Sequence, residues 1–159
     1  LLRSIPGGED GDFSRTRLEE VYNADLANGL GNLVRRLQAL FQRSQLNLGL
    51  GNRKAPPADL GLHLADFQFC DALRGLWDTV RDLNRQIDKI RPWDLQKENR
   101  HRELRAHLIT WRDRVLELAA GLKLFLPETA SKIESEFLKD RILTAPALFP
   151  RLSGGNSRK

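Results

Sequence analysis

An all-α bundle of about four to five helices is predicted for this 159-residue chain, and three observations predict it. Apolar residues recur at spacings of three and four along most of the sequence, which is the period of one helix face. Two stretches, 69–90 and 104–125, alternate steps of four and three, so each carries a seam that seeks a partner of matching period. No stretch alternates apolar and polar residues over the length of a strand.

The elements follow in order. Ser14 is placed to cap a first helix that runs to about Gln42, with Phe13 packing on Leu18 as a hydrophobic staple. Its apolar stripe is Leu18, Tyr22, Leu26, Leu30, Leu33, Leu37 and Leu40, widened by Val21, Val34 and Phe41. Yet the run NADLANGLGNLVRRL (23–37) sets Asn23, Asn28, Asn32, Gly29 and Gly31 in the middle of that helix, where all are mediocre or poor helix formers. Such chemistry points to something being contacted there.

Residues 44–58, SQLNLGLGNRKAPPA, are turn formers and read as a connecting loop. A second helical region begins after Asp59, and from Phe69 its seam is Phe69, Leu73, Leu76, Val80, Leu83, Ile87 and Ile90. Pro92 stops it, because a proline disfavours helical geometry in the preceding residue and brings no amide donor. Asp94 is expected to cap a third helix with the seam Leu104, Leu108, Trp111, Val115, Leu118, Leu122 and Phe125. Pro127 suits a first helical turn, so PETASKIESEFL makes a short fourth helix around Ala130, Ile133 and Phe137. One bundle over 14–152 is expected, with 1–13 as a lead-in and 153–159 as a flexible polar tail.

Composition narrows the function. Twenty-six Lys and Arg against 21 Asp and Glu give +5 and a pI near 9.8, an excess that favours a polyanionic partner. Cys70 is the only cysteine, so there is no intrachain disulfide and no cysteine-built zinc site, which fits a reducing cytosol. No apolar run approaches the roughly 18 residues of a membrane span. The expectation is a soluble, cytoplasmic protein with no membrane partner. With no methionine, even at position 1, the sequence reads as a segment of a longer chain.

The only histidines are His63, His101 and His107, and the HExxH pair, the phosphate-binding glycine loop and the serine-nucleophile elbow are all missing. No residue is assigned a catalytic or metal-ligating role. Carboxylates alternate with basic residues, as in WRDRVLE and RDLNRQIDK, the pattern of a solvated helix face laced with ion pairs.

Two features stand out. Asn28, Asn32 and Arg36 are each four residues apart, a column on one flank of the first helix. Amides and a guanidinium fork can read the edges of unpaired bases. The same column also fits two amides packed on a neighbouring helix with Arg36 in solvent. In Arg91-Pro92-Trp93, a tryptophan on a proline-locked turn can serve as a stacking platform with Arg91 near a phosphate, or can cover the end of the core.

GEDGDFSRTRLEEVYNADLANGLGNLVRRL (8–37) resembles the start of the carboxy-terminal helical domain of methionyl-tRNA synthetases, which are class I aminoacyl-tRNA synthetases. The similarity continues through FCDALRGLWDTVRDLNRQIDKIRPW (69–93), LKLFLPETASKI (122–133) and LFPRL (148–152). The resemblance implies the anticodon-binding bundle of that class, with Asn32 and Arg36 contacting anticodon bases and Trp93 stacking on one. Asn28, Arg35, Arg91 and Pro92 would support them. Arg35 departs from the small or polar residues common in the family and is open to a phosphate contact or to water. Implied partners are the anticodon loop of a methionine tRNA and the enzyme's own catalytic domain. ATP, and often a zinc, belong to that domain; this segment implies no cofactor of its own. Its nearest alternatives are the corresponding domain of a synthetase for valine, isoleucine, leucine or cysteine, and a helical protein-interaction module without RNA binding.

Overall fold

The computed structural model describes residues 14–152, so Phe13, the lead-in 1–13 and the tail 153–159 lie outside the described residues. Every regular element among them is helical: α1 (Arg15–Val21), a π-helical segment (Tyr22–Gly31), α2 (Asn32–Ser44), α3 (Ala58–Ala65), α4 (Phe69–Ile90), α5 (Pro92–Lys97), α6 (His101–Leu122) and α7 (Pro127–Phe137). No helix of these residues is long and apolar enough to cross a membrane.

The first three elements form one rod, because the backbone stays right-handed helical at Tyr22, Gly31 and Asn32. Ser14 caps it as expected, its side chain accepting a hydrogen bond from the Arg17 amide at 3.1 Å. The rod's central third winds with the wider i→i+5 pitch, and this is where the glycines act. A Cβ on Gly31 would sit 3.0 Å from the Leu26 carbonyl oxygen, and one on Gly29 would sit 3.4 Å from that of Ala24, in each case five residues back. Leu30, Leu33 and Leu37 are fully buried, but α1 buries nothing and Leu18 is exposed. The apolar stripe expected from Leu18 onward therefore enters the core only toward the end of the π segment, at Leu30.

The rod ends at Ser44, where Gln45 turns left-handed, φ 54°. Ser44 secures this stop by donating its hydroxyl to the Phe41 carbonyl at 2.8 Å and accepting from the Leu46 amide at 3.3 Å. The loop that follows is pinned to the bundle at several places, among them Arg105 of α6 donating to the Asn47 carbonyl at 2.7 Å and Lys54 pairing with Asp113 at 2.8 Å. Arg112, buried in α6, donates to the Gly49 carbonyl at 2.7 Å, and burial pushes its guanidinium pKa below the ordinary arginine value. Gly51 donates its amide to Leu138 at 2.9 Å.

The two predicted seams meet. Leu73, Leu76, Val80, Leu83 and Ile87 of α4 are buried, and so are Leu104, Leu108, Trp111, Val115, Leu118 and Leu122 of α6, the two helices being in contact. Phe125 lies beyond the end of α6 and is half-buried. Helix α7 covers α6, with Phe137 edge-on to Phe41 of α2 at 5.9 Å between ring centres.

Two expectations need correction. Asp94 does not cap the third helix: Arg91 is the N-cap of α5, in the left-handed region at φ 53°, and Asp94 is that helix's third residue. The region after Pro92 is also two helices, because Asn99 at φ 56° breaks it before His101. Pro92 starts the short α5 as its first residue, so the turn needs no carboxylate cap.

Gly51 has no room for a side chain, since a Cβ there would lie 2.6 Å from the Phe137 carbonyl oxygen, whereas at Gly61 in α3 nothing lies within 4 Å. Gly51→Ala is expected to lower unfolding stability by about 1–3 kcal/mol. Gly61→Ala should raise it by about 0.5–1 kcal/mol. Urea titration of both variants against the parent chain checks the opposite signs.

Candidate nucleic-acid interface

Residues 138–152 have no regular structure, yet from Thr144 to Leu152 they run antiparallel along the rod from Gln42 to Tyr22 as a strap. Gln42 accepts from the Thr144 amide at 3.1 Å and hydroxyl at 2.8 Å, and buried Gln38 faces the Ala145 amide at 3.5 Å. Further along, Phe149 meets Tyr22 edge-on at 6.1 Å and lies 3.5 Å from where a Cβ on Gly31 would stand. At the end, Asn23 forms a two-pronged clasp with Leu152, donating to its carbonyl and accepting from its amide, each at 2.9 Å.

This accounts for much of the unfavourable helix chemistry in 23–37. Gly31 relieves a close approach to the Leu26 carbonyl inside the π winding, Gly29 lies against Trp77 of α4, and Asn23 satisfies strap backbone that no helix serves. A backbone partner is supplied by amide side chains because an irregular segment cannot pair its own groups.

The Asn28, Asn32, Arg36 column divides three ways. Asn28 accepts from the Arg151 guanidinium of the strap at 3.2 and 2.8 Å. Asn32 is exposed and has no side-chain hydrogen bond among the described residues. Arg36 turns toward α4, donating to the side-chain amide oxygen Oδ1 of Asn84 at 3.0 Å and pairing with Asp88. Asn84 is itself held by its donation to the Val80 carbonyl at 3.1 Å. Arg36 is therefore neither free in solvent nor packed in the core.

Trp93 is 37% exposed, while its neighbours Pro92 and Leu95 are buried. Those two residues, not the indole, close the end of the core. Arg91 lies over the indole with its guanidinium carbon 5.9 Å from the ring centre, and its Nε also donates to Asp94 at 2.5 Å. The turn is joined to the rod on both sides: Asp88, five residues before Trp93, pairs with Arg36, and Gln96 donates to the Arg43 carbonyl at 2.8 Å. Arg36 and Trp93 thus belong to one junction of α2, α4 and α5.

At this junction the guanidinium groups that could meet RNA are partly engaged by acidic neighbours. The Asp88 side chain is 64% exposed, and such pairs contribute only about 0–1 kcal/mol, so an incoming polar group can exchange for the carboxylate at little cost. Sequence reasoning missed Asn84 and Asp88, whose signal is simply that polar residues four apart on α4 face the same flank. The remaining charged residues behave as the alternating pattern suggested, with surface pairs such as Arg81–Asp78 and Arg114–Glu117. His107 stacks on Trp111, and no group of His, Cys, Asp and Glu able to hold a metal occurs among the described residues.

No protein-family model matches the chain. Among solved structures, it is similar to the apo methionyl-tRNA synthetase of Mycobacterium tuberculosis, with a TM-score of 0.72 and 25% identity over 96% of this chain and 38% of that one. The fold is thus one found as a segment of an aminoacyl-tRNA synthetase. Methionine–tRNA ligases of Helicobacter pylori and Nostoc are each 34% identical over 150 residues, and that of Clostridium acetobutylicum is 31% identical over 155. These matches take in 84–86% of this chain but only 23–28% of the enzymes, so it spans about a quarter of the length of these curated relatives. In sequence and in fold, the chain is related to a segment of the methionyl-tRNA synthetases.

The clasp gives a direct prediction. Asn23→Ala removes both bonds to Leu152, a local loss of about 1–3 kcal/mol. The Leu152 amide should exchange with solvent at least about fivefold faster, while amides in the α4 and α6 seams keep their protection. Hydrogen-exchange NMR would show a global change instead if the strap were part of the core's folding unit.

Proposed function

We propose that this bundle binds the anticodon loop of a methionine tRNA, as the carboxy-terminal domain of a cytoplasmic methionine–tRNA ligase. The parent enzyme would use ATP to join methionine to the tRNA in a catalytic domain outside residues 1–159. ATP, and the zinc that such domains often carry, would be held there. The observation that carries this reading is the 34% identity to methionine–tRNA ligases across most of the chain, combined with the exposure of Asn32 and Trp93.

Each residue has a part that follows from its chemistry. Trp93 offers an indole face on a turn fixed by Pro92 and tied down by Gln96, so an unstacked base can stack without first ordering the platform. Asn32 presents a donor and an acceptor with no competing side-chain partner among the described residues, which suits the edge of a base. Arg36 is held extended along α4 by Asn84 and would exchange Asp88 for a base edge. Arg91 lies over one face of the indole, placed to meet a backbone phosphate of a base stacked on the other. Asn28 would act indirectly, by holding Arg151 and the strap.

Trp93→Ala is expected to weaken binding of a methionine tRNA by about 1–3 kcal/mol. Asn32→Ala should weaken it by about 1 kcal/mol. Both variants should melt like the parent, since neither side chain is in the core. Filter binding over a salt series checks this, and the log affinity should fall by roughly 0.7 per log unit of salt for each single-strand phosphate contact. A flat salt response with both variants binding like the parent would favour a protein partner instead. A preference for a valine, isoleucine, leucine or cysteine tRNA would assign the bundle to a sister synthetase.

A further inference from the structure

The strap and the rod enclose a groove of about 270 Å³ beside Asn32, and no α4 residue lines it, nor does Arg36, which faces α4. One wall is the rod's Asn28, Asn32 and Arg35, and the other is the strap's Phe149, Pro150 and Arg151. Its charge is one-sided: it has two guanidinium groups and no carboxylate among the residues that line it. Arg151 is committed to Asn28, but Arg35 is exposed and has neither ion pair nor hydrogen bond among the described residues. Arg35 therefore differs from Arg36, which has an anionic partner on α4.

We infer that this groove is a second RNA subsite, in which Arg35 grips a backbone phosphate of a nucleotide adjoining the one read by Asn32. The inference rests on the anticodon-binding reading and adds to it a contact built jointly by the rod and the strap. Asn32 and Arg35 are three residues apart, so they sit side by side on one helix face, about 4.5 Å apart along the axis. Arg36, four residues from Asn32, diverges toward α4. A strand whose base edge meets Asn32 thus has its sugar–phosphate backbone within reach of one unpaired guanidinium. The absence of any carboxylate lining the groove removes the competition present at Arg36. The aromatic ring and the proline on the strap side give the ribose an apolar wall, and the two amides on the rod give its hydroxyls partners. A phosphate contact carries no base preference, so Arg35 adds affinity without changing which anticodon is selected.

The test uses the whole 159-residue chain and a methionine tRNA transcript. Affinity is measured across a salt series for the parent, Arg35→Gln, Arg35→Lys and Asn32→Ala. Arg35→Gln should weaken binding about tenfold and make the slope of log affinity against log salt shallower by about 0.7, the signature of one single-strand phosphate. It should weaken transcripts with altered anticodons by the same factor. Arg35→Lys should restore the parent slope, because an ammonium keeps the charge while losing the fork. Arg35 is exposed, so all variants should show the parent's thermal melt. If Asn32→Ala weakens binding while Arg35→Gln leaves affinity and slope unchanged, the subsite is wrong and the anticodon reading stands. If the parent itself fails to bind the transcript, both fall.

Discussion

Backbone that leaves a helix must find hydrogen-bond partners, and residues 142–152 find several of theirs on amide side chains of the first helical rod. Much of the molecule's distinctive structure depends on that constraint. Four amides, Asn23, Asn28, Gln38 and Gln42, meet the strap in reverse order along its length, so rod and strap are fixed in register as well as in contact. Gly31 lies in the π winding where the strap's aromatic ring packs on the rod, while Gly29 faces Trp77 of α4. A straight α-helix of better helix formers would be more stable in isolation but would not offer the strap these partners.

This arrangement also places the proposed RNA-binding side chains on three different supports. Asn32 stands at the point where the π segment gives way to α2, Arg36 is braced by α4, and Trp93 is held on the turn between α4 and α5. The α4–α6 seam is what makes these supports rigid. Residues buried throughout both helices fix the end of α4, and so fix Asn84, Asp88 and the proline turn that follows. Exposed functional groups on a packed frame can be prepared for a ligand without adding to the core, since they pay for their position through neighbours already ordered.

Electrostatics separates the arginines in a way that total charge does not. The net +5 is spread over a surface where Arg36 and Arg91, on the α4 side of the proposed site, each have a carboxylate within reach. On the groove side Arg35 has no such partner among the described residues, and Arg151 is held by the Asn28 amide instead. Adjacent residues on one helix point about 100° apart, so Arg35 and Arg36 meet unlike surroundings although they are chemically identical.

The sequence by itself determined the all-α class, the two matching seams, the proline-locked turn and the relation to methionyl-tRNA synthetases, because periodicity, proline geometry and long motifs are all local properties of the chain. It also marked 23–37 as anomalous, since helix propensity is counted residue by residue. Only the tertiary structure decided what those anomalies face. That Asn23 serves Leu152, that Arg36 pairs with Asp88 while Arg35 has no partner among the described residues, and that Asp94 is not a cap all depend on contacts between residues far apart in the chain or on backbone turns that several elements impose together. Side chains at one helical spacing share a face, but the neighbour that meets each of them is fixed only when distant segments pack.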